Sequence, residues 1–203
     1  MKKIFFILTV IASIVSFSSC TEKNEAAEYD NWKERNQHYV DSIAALAHSN
    51  KDGWTKILAF NLMDSVENIN PNVNHYVYVK KLENGAGKVK PEFMDSVRVH
   101  YLGRLIPSAS HSQGQIFDKS YNSYTLNEET DVPSLLSVRG TVVGYSTALQ
   151  HMVEGDRWKV VIPYYLGYGD IDYSQIPGYS ALIFDIKLSR IYKRNIDTNT
   201  TWH

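Results

Sequence analysis

Residues 162–170, IPYYLGYGD, place Tyr164, Tyr165 and Tyr168 where an apolar, β-branched run ends, with Gly167 and Gly169 on either side of the last ring. A phenol offers apolar area with a polar tip, which equips a half-buried binding surface better than a covalent catalyst. The residue types that attack, phosphorylate or coordinate are placed less promisingly. Residues 85–88, GAGK, end like a phosphate-binding loop but lack the upstream glycine and the Ser or Thr after the lysine, and they sit in a hairpin rather than before a helix. Residues 144–148, GYSTA, approach the G-x-S-x-G nucleophile elbow. That elbow needs a parallel sheet of repeated βα units, which the chain lacks, so Ser146 is expected on the solvent side of a helix. None of the seven histidines falls at H-E-x-x-H or another ligand spacing, and no metal site is expected. A formal net charge of -1 supplies no basic field for nucleic acid. Aromatic side chains remain. Strands favour tyrosine, which explains most of the 14 present, so position rather than number must select the candidates.

The elements that would hold such rings follow from periodicity. Lys2 and Lys3 precede an apolar run over residues 4–15 that is short for a membrane span, and Ser18, Ser19 and Cys20 follow it. This resembles a bacterial lipoprotein signal over residues 1–19, with Cys20 as the acylated first residue of the mature chain. Removing Lys2 and Lys3 leaves the mature chain net acidic, so the expected membrane attachment is through lipid, without a polybasic patch. The localisation expected from this is the cell envelope, facing the periplasm or the cell surface. Residues 20–28 read as a polar tether. Trp32, Tyr39, Ile43 and Leu46 recur at helical spacing until residues 50–53, NKDG, stop the pattern. Residues 54–62 form a second short helix or an extended connection, and residues 70–72, NPN, mark a boundary. Residues 29–72 are thus a helical extension whose apolar stripe packs on its own chain or on a second copy, making a homodimer through it one expectation.

From Val73 the period becomes two. Residues 74–82 alternate, residues 83–87 turn the chain, and Val97, Val99 and Tyr101 alternate with Arg98 and His100. Trp158, Val160 and Ile162 form another strand; Leu182, Phe184, Ile186 and Leu188 oppose Ile183, Asp185 and Lys187 in the last. A single short helical stretch, GYSTALQHM, lies between them. Strands in this number with one helix and no βα alternation indicate an α+β domain, an antiparallel sheet with the helix against one face, over residues 73–192. Residues 193–203 form a C-terminal tail.

Five segments then resemble, in order, the FKBP family of peptidyl-prolyl cis/trans isomerases: VRVHYLGRL at 97–105, GQIFDKS at 114–120, VVGYSTALQHMVEG at 142–155, VVIPYYLGYGD at 160–170 and IPGYSALIFDIKL at 176–188. The resemblance implies a bent antiparallel sheet wrapped around the short helix, with a pocket between them. It implies walls from Tyr101, Phe117, Val142, Tyr168, Ile176 and Phe184, a floor at Tyr145 where the family usually has Trp, and an edge at Asp118. Tyr164 is expected at the rim and Tyr165 in packing.

The implied substrates are proline-containing polypeptides, and the implied chemistry is rotation about the X-Pro amide. That bond resists rotation by about 18–20 kcal/mol because of amide resonance, yet no covalent bond breaks. A dry aromatic pocket that binds the twisted amide better than either planar form lowers the barrier without acid, base, metal or cofactor. In this picture Tyr168 and the Ile176 backbone N–H donate to substrate carbonyls, and Asp118 fixes neighbouring groups. The chain departs from the family pattern at Tyr145, at Gly178 in place of a second proline, in extra residues over 105–113 and in a long span over 122–138. Each is expected to touch a pocket border. A peptide-binding or chaperone module with weak turnover, and a purely structural envelope lipoprotein, are the competing readings.

Overall fold

The computed structural model describes residues 28–65, 70–122 and 125–194. The signal segment and Cys20 lie outside them. Contacts divide the chain between Asn31 and Trp32, and the unit beginning at Trp32 carries the architecture.

Its elements are α1 (Trp32–His48), β1 (Trp54–Leu58), β2 (Tyr76–Glu83), β3 (Ser96–Arg104), β4 (Ile116–Lys119), β5 (Ser134–Ser137), α2 (Val143–Leu149), β6 (Arg157–Ile162) and β7 (Leu182–Tyr192). The strands form one antiparallel sheet in the order β1-β2-β6-β7-β3-β4, with β5 also pairing with β3. The outer edge of β3 is shared: its first half pairs with β5 and its second half with β4. Register shifts at Lys81/Glu83, Arg98/Val99 and Gly103/Arg104 are bulges, and bulges bend and twist a strand. This is the expected FKBP-like α+β arrangement.

The two faces of the sheet are covered by different helices. On the inner face, Val97, Val99, Val160, Ile162, Ile186 and Leu188 are all fully buried, the period-two pattern of strands that share a core. The seven-residue α2 packs there against β2 and β6. The 3-10 segment Phe60–Ser65 covers it from the other side, where the Phe60 N–H donates to Thr147 Oγ1 at 3.2 Å. Ser146 is therefore buried, 1 % exposed, rather than solvent-facing, because the expectation allowed α2 one covered side and it has two.

The outer face is where the extension belongs. Tyr78, Val161, Ile183 and Leu102 alternate away from α2, and the register places Tyr78 opposite Val161 and Val161 opposite Ile183. All four are buried. The cover is α1, which packs on β1 and β2 through Trp32, Asn36, Val40, Ile43 and Ala47, spaced four, four, three and four. This stripe is centred on Val40, while Tyr39 and Leu46 lie half-exposed at its margins. The helix ends where the sequence stops it, with Asn50, Asp52 and Gly53 all at positive φ.

Residues 54–58 are neither a helix nor a plain connection. They form an edge strand fully paired with β2, Trp54 opposite Lys80 through Leu58 opposite Tyr76. The boundary expected at residue 72 is thus not a break in the fold, because residues on its N-terminal side complete both the sheet and the outer layer.

Candidate active site

Four rings from four separate elements meet on the inner face. Tyr101 stands on β3, Phe117 on β4, Tyr145 on α2 and Phe184 on β7. Phe184 is the hub: its ring centroid lies 4.9 Å from Tyr145, 5.4 Å from Phe117 and 6.5 Å from Tyr101, each pair edge to face. Tyr101 also meets Tyr145 edge-on at 6.3 Å. Edge-to-face contacts place the positive rim of one ring on the negative face of the next, so the cluster holds its geometry as well as its area. Gly103 makes room for it. A Cβ there would come within 2.8 Å of both the Phe117 and Phe184 rings.

The polar groups sit around this cluster. The Tyr101 hydroxyl donates to Asp118 Oδ2 at 3.0 Å, while Asp118 Oδ1 accepts from the Lys119 N–H. Burial, followed by Asp118, raises the Tyr101 hydroxyl above its ordinary pKa. Burial also raises Tyr145 well above its usual range, with smaller contributions from Tyr101 and Asp118. The Tyr145 hydroxyl is buried and has no hydrogen-bond partner among the described residues. Val142 is the N-cap of α2, three residues before Tyr145, in extended backbone and half-buried.

Tyr168 belongs to the loop between β6 and β7. Its ring stacks on Tyr173, centroids 4.2 Å apart and planes 8° from parallel. Burial raises its hydroxyl, with Tyr173 and Asp118 adding to the shift, which places it in the electrostatic surroundings of Asp118. The chain turns at Gly169, φ 78°. Tyr164 rests half-buried against Tyr179, as a rim residue can, but Tyr165 is 55 % exposed and touches His75 instead of packing inside.

One expected donor is engaged elsewhere. The Ile176 N–H donates to the Tyr173 carbonyl at 2.9 Å and the Tyr173 N–H returns the bond to Ile176, closing a tight turn that buries the Ile176 side chain. Gly178 has its own reason to differ from proline. Its N–H donates to Asp172 Oδ1 at 2.8 Å, a bond proline cannot make, and a Cβ there would lie 2.4 Å from the Asp170 carbonyl oxygen.

The end of this loop is held from the outer layer. Trp32 Nε1 donates to Ser180 Oγ at 2.8 Å, and Asn36 Oδ1 accepts from the Ala181 N–H at 2.8 Å while its Nδ2 donates to the Trp32 carbonyl. Asn36, Ser180 and Ala181 are 2 %, 3 % and 1 % exposed, so these bonds are shielded from water. Neither Trp32 nor Asn36 was among the expected site residues. Asn36 carried a signal, because it falls midway between Trp32 and Val40 on the apolar stripe, and a polar group there needs a buried partner. Of the extra residues over 105–113, Pro107 and Gln113 line a cavity that also touches Leu102, Ile183 and Phe184.

The family model for FKBP-type peptidyl-prolyl cis-trans isomerases matches residues 87–189. The chain is 37 % identical over 113 residues to a macrophage infectivity potentiator from Trypanosoma cruzi, covering 55 % of this chain and 51 % of that protein. It is 34 % identical over 111 residues to the FKBP-type 22 kDa peptidyl-prolyl cis-trans isomerase of Escherichia coli, covering 54 % and 47 %. The chain therefore spans about half the length of these curated relatives. Among solved structures, a peptidyl-prolyl cis-trans isomerase from Pseudomonas syringae superposes with a TM-score of 0.55 at 25 % identity, covering 79 % of this chain and 96 % of that one. The match spans all four clustered rings, Asp118 and the Tyr168 loop, and on it this chain belongs to the FKBP-type peptidyl-prolyl cis-trans isomerase family.

Proposed function

We propose that this protein catalyses cis/trans isomerisation of X-Pro bonds in exported polypeptides, from a lipid anchor at Cys20. The ring cluster of Tyr101, Phe117, Tyr145 and Phe184 carries the reading, together with a Tyr168 hydroxyl that has no protein partner among the described residues. The rings supply a dry seat for the proline ring. Rotation takes the amide out of resonance, leaving its nitrogen pyramidal and its carbonyl less polarised. A seat that excludes water and grips the proline side favours this twisted form over either planar one. Tyr168 donates to a substrate carbonyl, and the Tyr101–Asp118 pair fixes the field at the mouth. None of these steps moves a proton, so the raised phenol pKa values keep every donor in its working form at neutral pH.

Turnover of short X-Pro peptides tests the reading. Tyr168→Phe keeps the ring and removes the hydroxyl, so turnover falls clearly while Tm changes little. Unchanged turnover removes Tyr168 from the mechanism. The engaged Ile176 N–H favours a second reading, a peptide-binding module with weak catalysis, for which the wild type binds proline peptides yet barely accelerates their isomerisation.

A further inference from the structure

The outer face of the sheet holds a cavity of about 430 Å³, a volume suited to a small ligand or a few side chains. Leu102 and Ile183 lie among its lining residues, with Tyr39 from α1, Tyr121 from the segment after β4, and Pro107 and Gln113 from the β3–β4 loop. It opens on the face opposite the ring cluster, since Leu102 and Arg104 alternate with Tyr101 and Gly103 along β3, although Phe184 borders both. The helical extension, the enlarged β3–β4 loop and, through Thr125, the long span over 122–138 thus meet at this one place.

Its chemistry is one-sided. Arg104, Arg157 and Lys159 line it against a single carboxylate, Asp185. Both oxygens of Asp185 are engaged by Arg157, at 2.9 and 2.8 Å, and Arg157 reaches Glu83 as well. Arg104 donates only to the Gly114 carbonyl, and Lys159 stands opposite Asp185 in register without forming an ion pair. Among the described residues neither has an acidic partner, and among the same residues the hydroxyls of Tyr39 and Tyr121 and the Gln113 amide have no hydrogen-bond partner. A half-buried space with two cations that have no acidic partner among the described residues, two phenols and an amide, over an apolar patch, offers more donors and positive charge than its one carboxylate, already held by Arg157, balances.

We propose that this groove is a second binding site, for a carboxylate on a short apolar stem, held by Lys159 and Arg104 with its stem on Leu102 and Ile183. A charge-assisted pair in a partly desolvated groove is stronger than one on an open surface. An acidic side chain of a bound polypeptide and a free dicarboxylate present the same chemistry, and the test separates them. The site stands independently of the isomerase reading.

Titration calorimetry on the full chain with three probes decides it: a blocked, proline-free peptide rich in glutamate, its glutamine counterpart, and glutarate. The glutamate peptide or glutarate binds, the glutamine peptide does not, and affinity weakens as salt rises. Binding of the peptide alone identifies an acidic segment as occupant; equal binding of glutarate identifies a small carboxylate. Replacing both cations, Arg104→Gln with Lys159→Gln, lowers affinity by about tenfold or more while X-Pro turnover stays at the wild-type level. Tyr39→Phe, which removes a single hydroxyl, weakens binding less and guards against misfolding of the double variant. The proposal is overturned if no acidic probe binds in the millimolar range, if both peptides bind alike, or if these variants bind as the wild type does.

Discussion

Tyr145→Phe deletes one oxygen atom, and the structure assigns that deletion a sign opposite to the usual one. The Tyr145 hydroxyl is buried without a hydrogen-bond partner among the described residues, in contact with the rings of Tyr101 and Phe184. An unsatisfied buried polar group costs about 1–3 kcal/mol. Removing it returns most of that sum, and because a phenyl ring fills the same space, no cavity term opposes the gain. For a chain of this size each kcal/mol moves Tm by about 2–4 °C, so the variant should melt at least about 2 °C above the wild type. Tyr78→Phe is the internal control. Its hydroxyl donates to the Val73 carbonyl at 2.7 Å, and its loss should cost about 1 kcal/mol. Thermal and urea unfolding of the three proteins gives both signs in one experiment. A Tyr145→Phe variant that melts below the wild type, as Tyr78→Phe should, would refute the argument and show that the floor hydroxyl has a partner in solution.

A chain starting at Asn72 loses α1 and β1 and exposes Tyr78 and Val161; at roughly 1.5–3 kcal/mol each, as an upper bound, and with the β1 ladder also lost, the loss rivals a typical domain stability, and circular dichroism should show an unfolded or molten chain. A cooperative transition at the wild-type temperature would return the extension to accessory status. Burial alone would raise the Asp95 pKa, but N–H groups of Glu92 and Arg194 and the Lys193 ammonium hold it below the usual carboxylate value. A lowered folded-state pKa contributes stability above the unfolded value of about 3.9, and that contribution disappears as pH falls through the folded one. The stability gap between wild type and Asp95→Asn should therefore be full at pH 7 and shrink below about pH 4; a gap constant down to pH 3 contradicts it. Cys20→Ala should release the protein from the membrane fraction, since acyl chains are its proposed hold, and equal retention of both proteins would end the lipid-anchor proposal.

Local pattern carried much of this protein. The period-two runs at Val97, Val99 and Tyr101 and at Leu182 to Leu188 specify half-buried strands because side chains alternate along an extended chain whatever lies beside it. The stop of α1 at residues 50–53 is local in the same sense, since Asn, Asp and Gly tolerate positive φ better than other residues. The clustered rings were legible through family motifs that keep their order along the chain. Contacts distant in sequence were not. Nothing near Trp54 announces that residues 54–58 pair with β2, because an edge strand is defined by its neighbour. The apolar residues that point outward, Tyr78, Val161 and Ile183, have a use only once α1 is laid over them, and a stripe of helical spacing does not say which surface it meets. Ser146 became buried through a segment more than eighty residues away, and the Ile176 N–H was engaged by a turn whose closure depends on the loop around it. Sequence alone determined the long alternating strands, the two helices and, through the family motifs, which rings belong together, because short-range sterics and alternation act within a few residues. Tertiary structure alone decided which face each helix covers, which donors stay free and where the second groove opens, because hydrogen bonds and burial are settled by partners brought together across the whole fold.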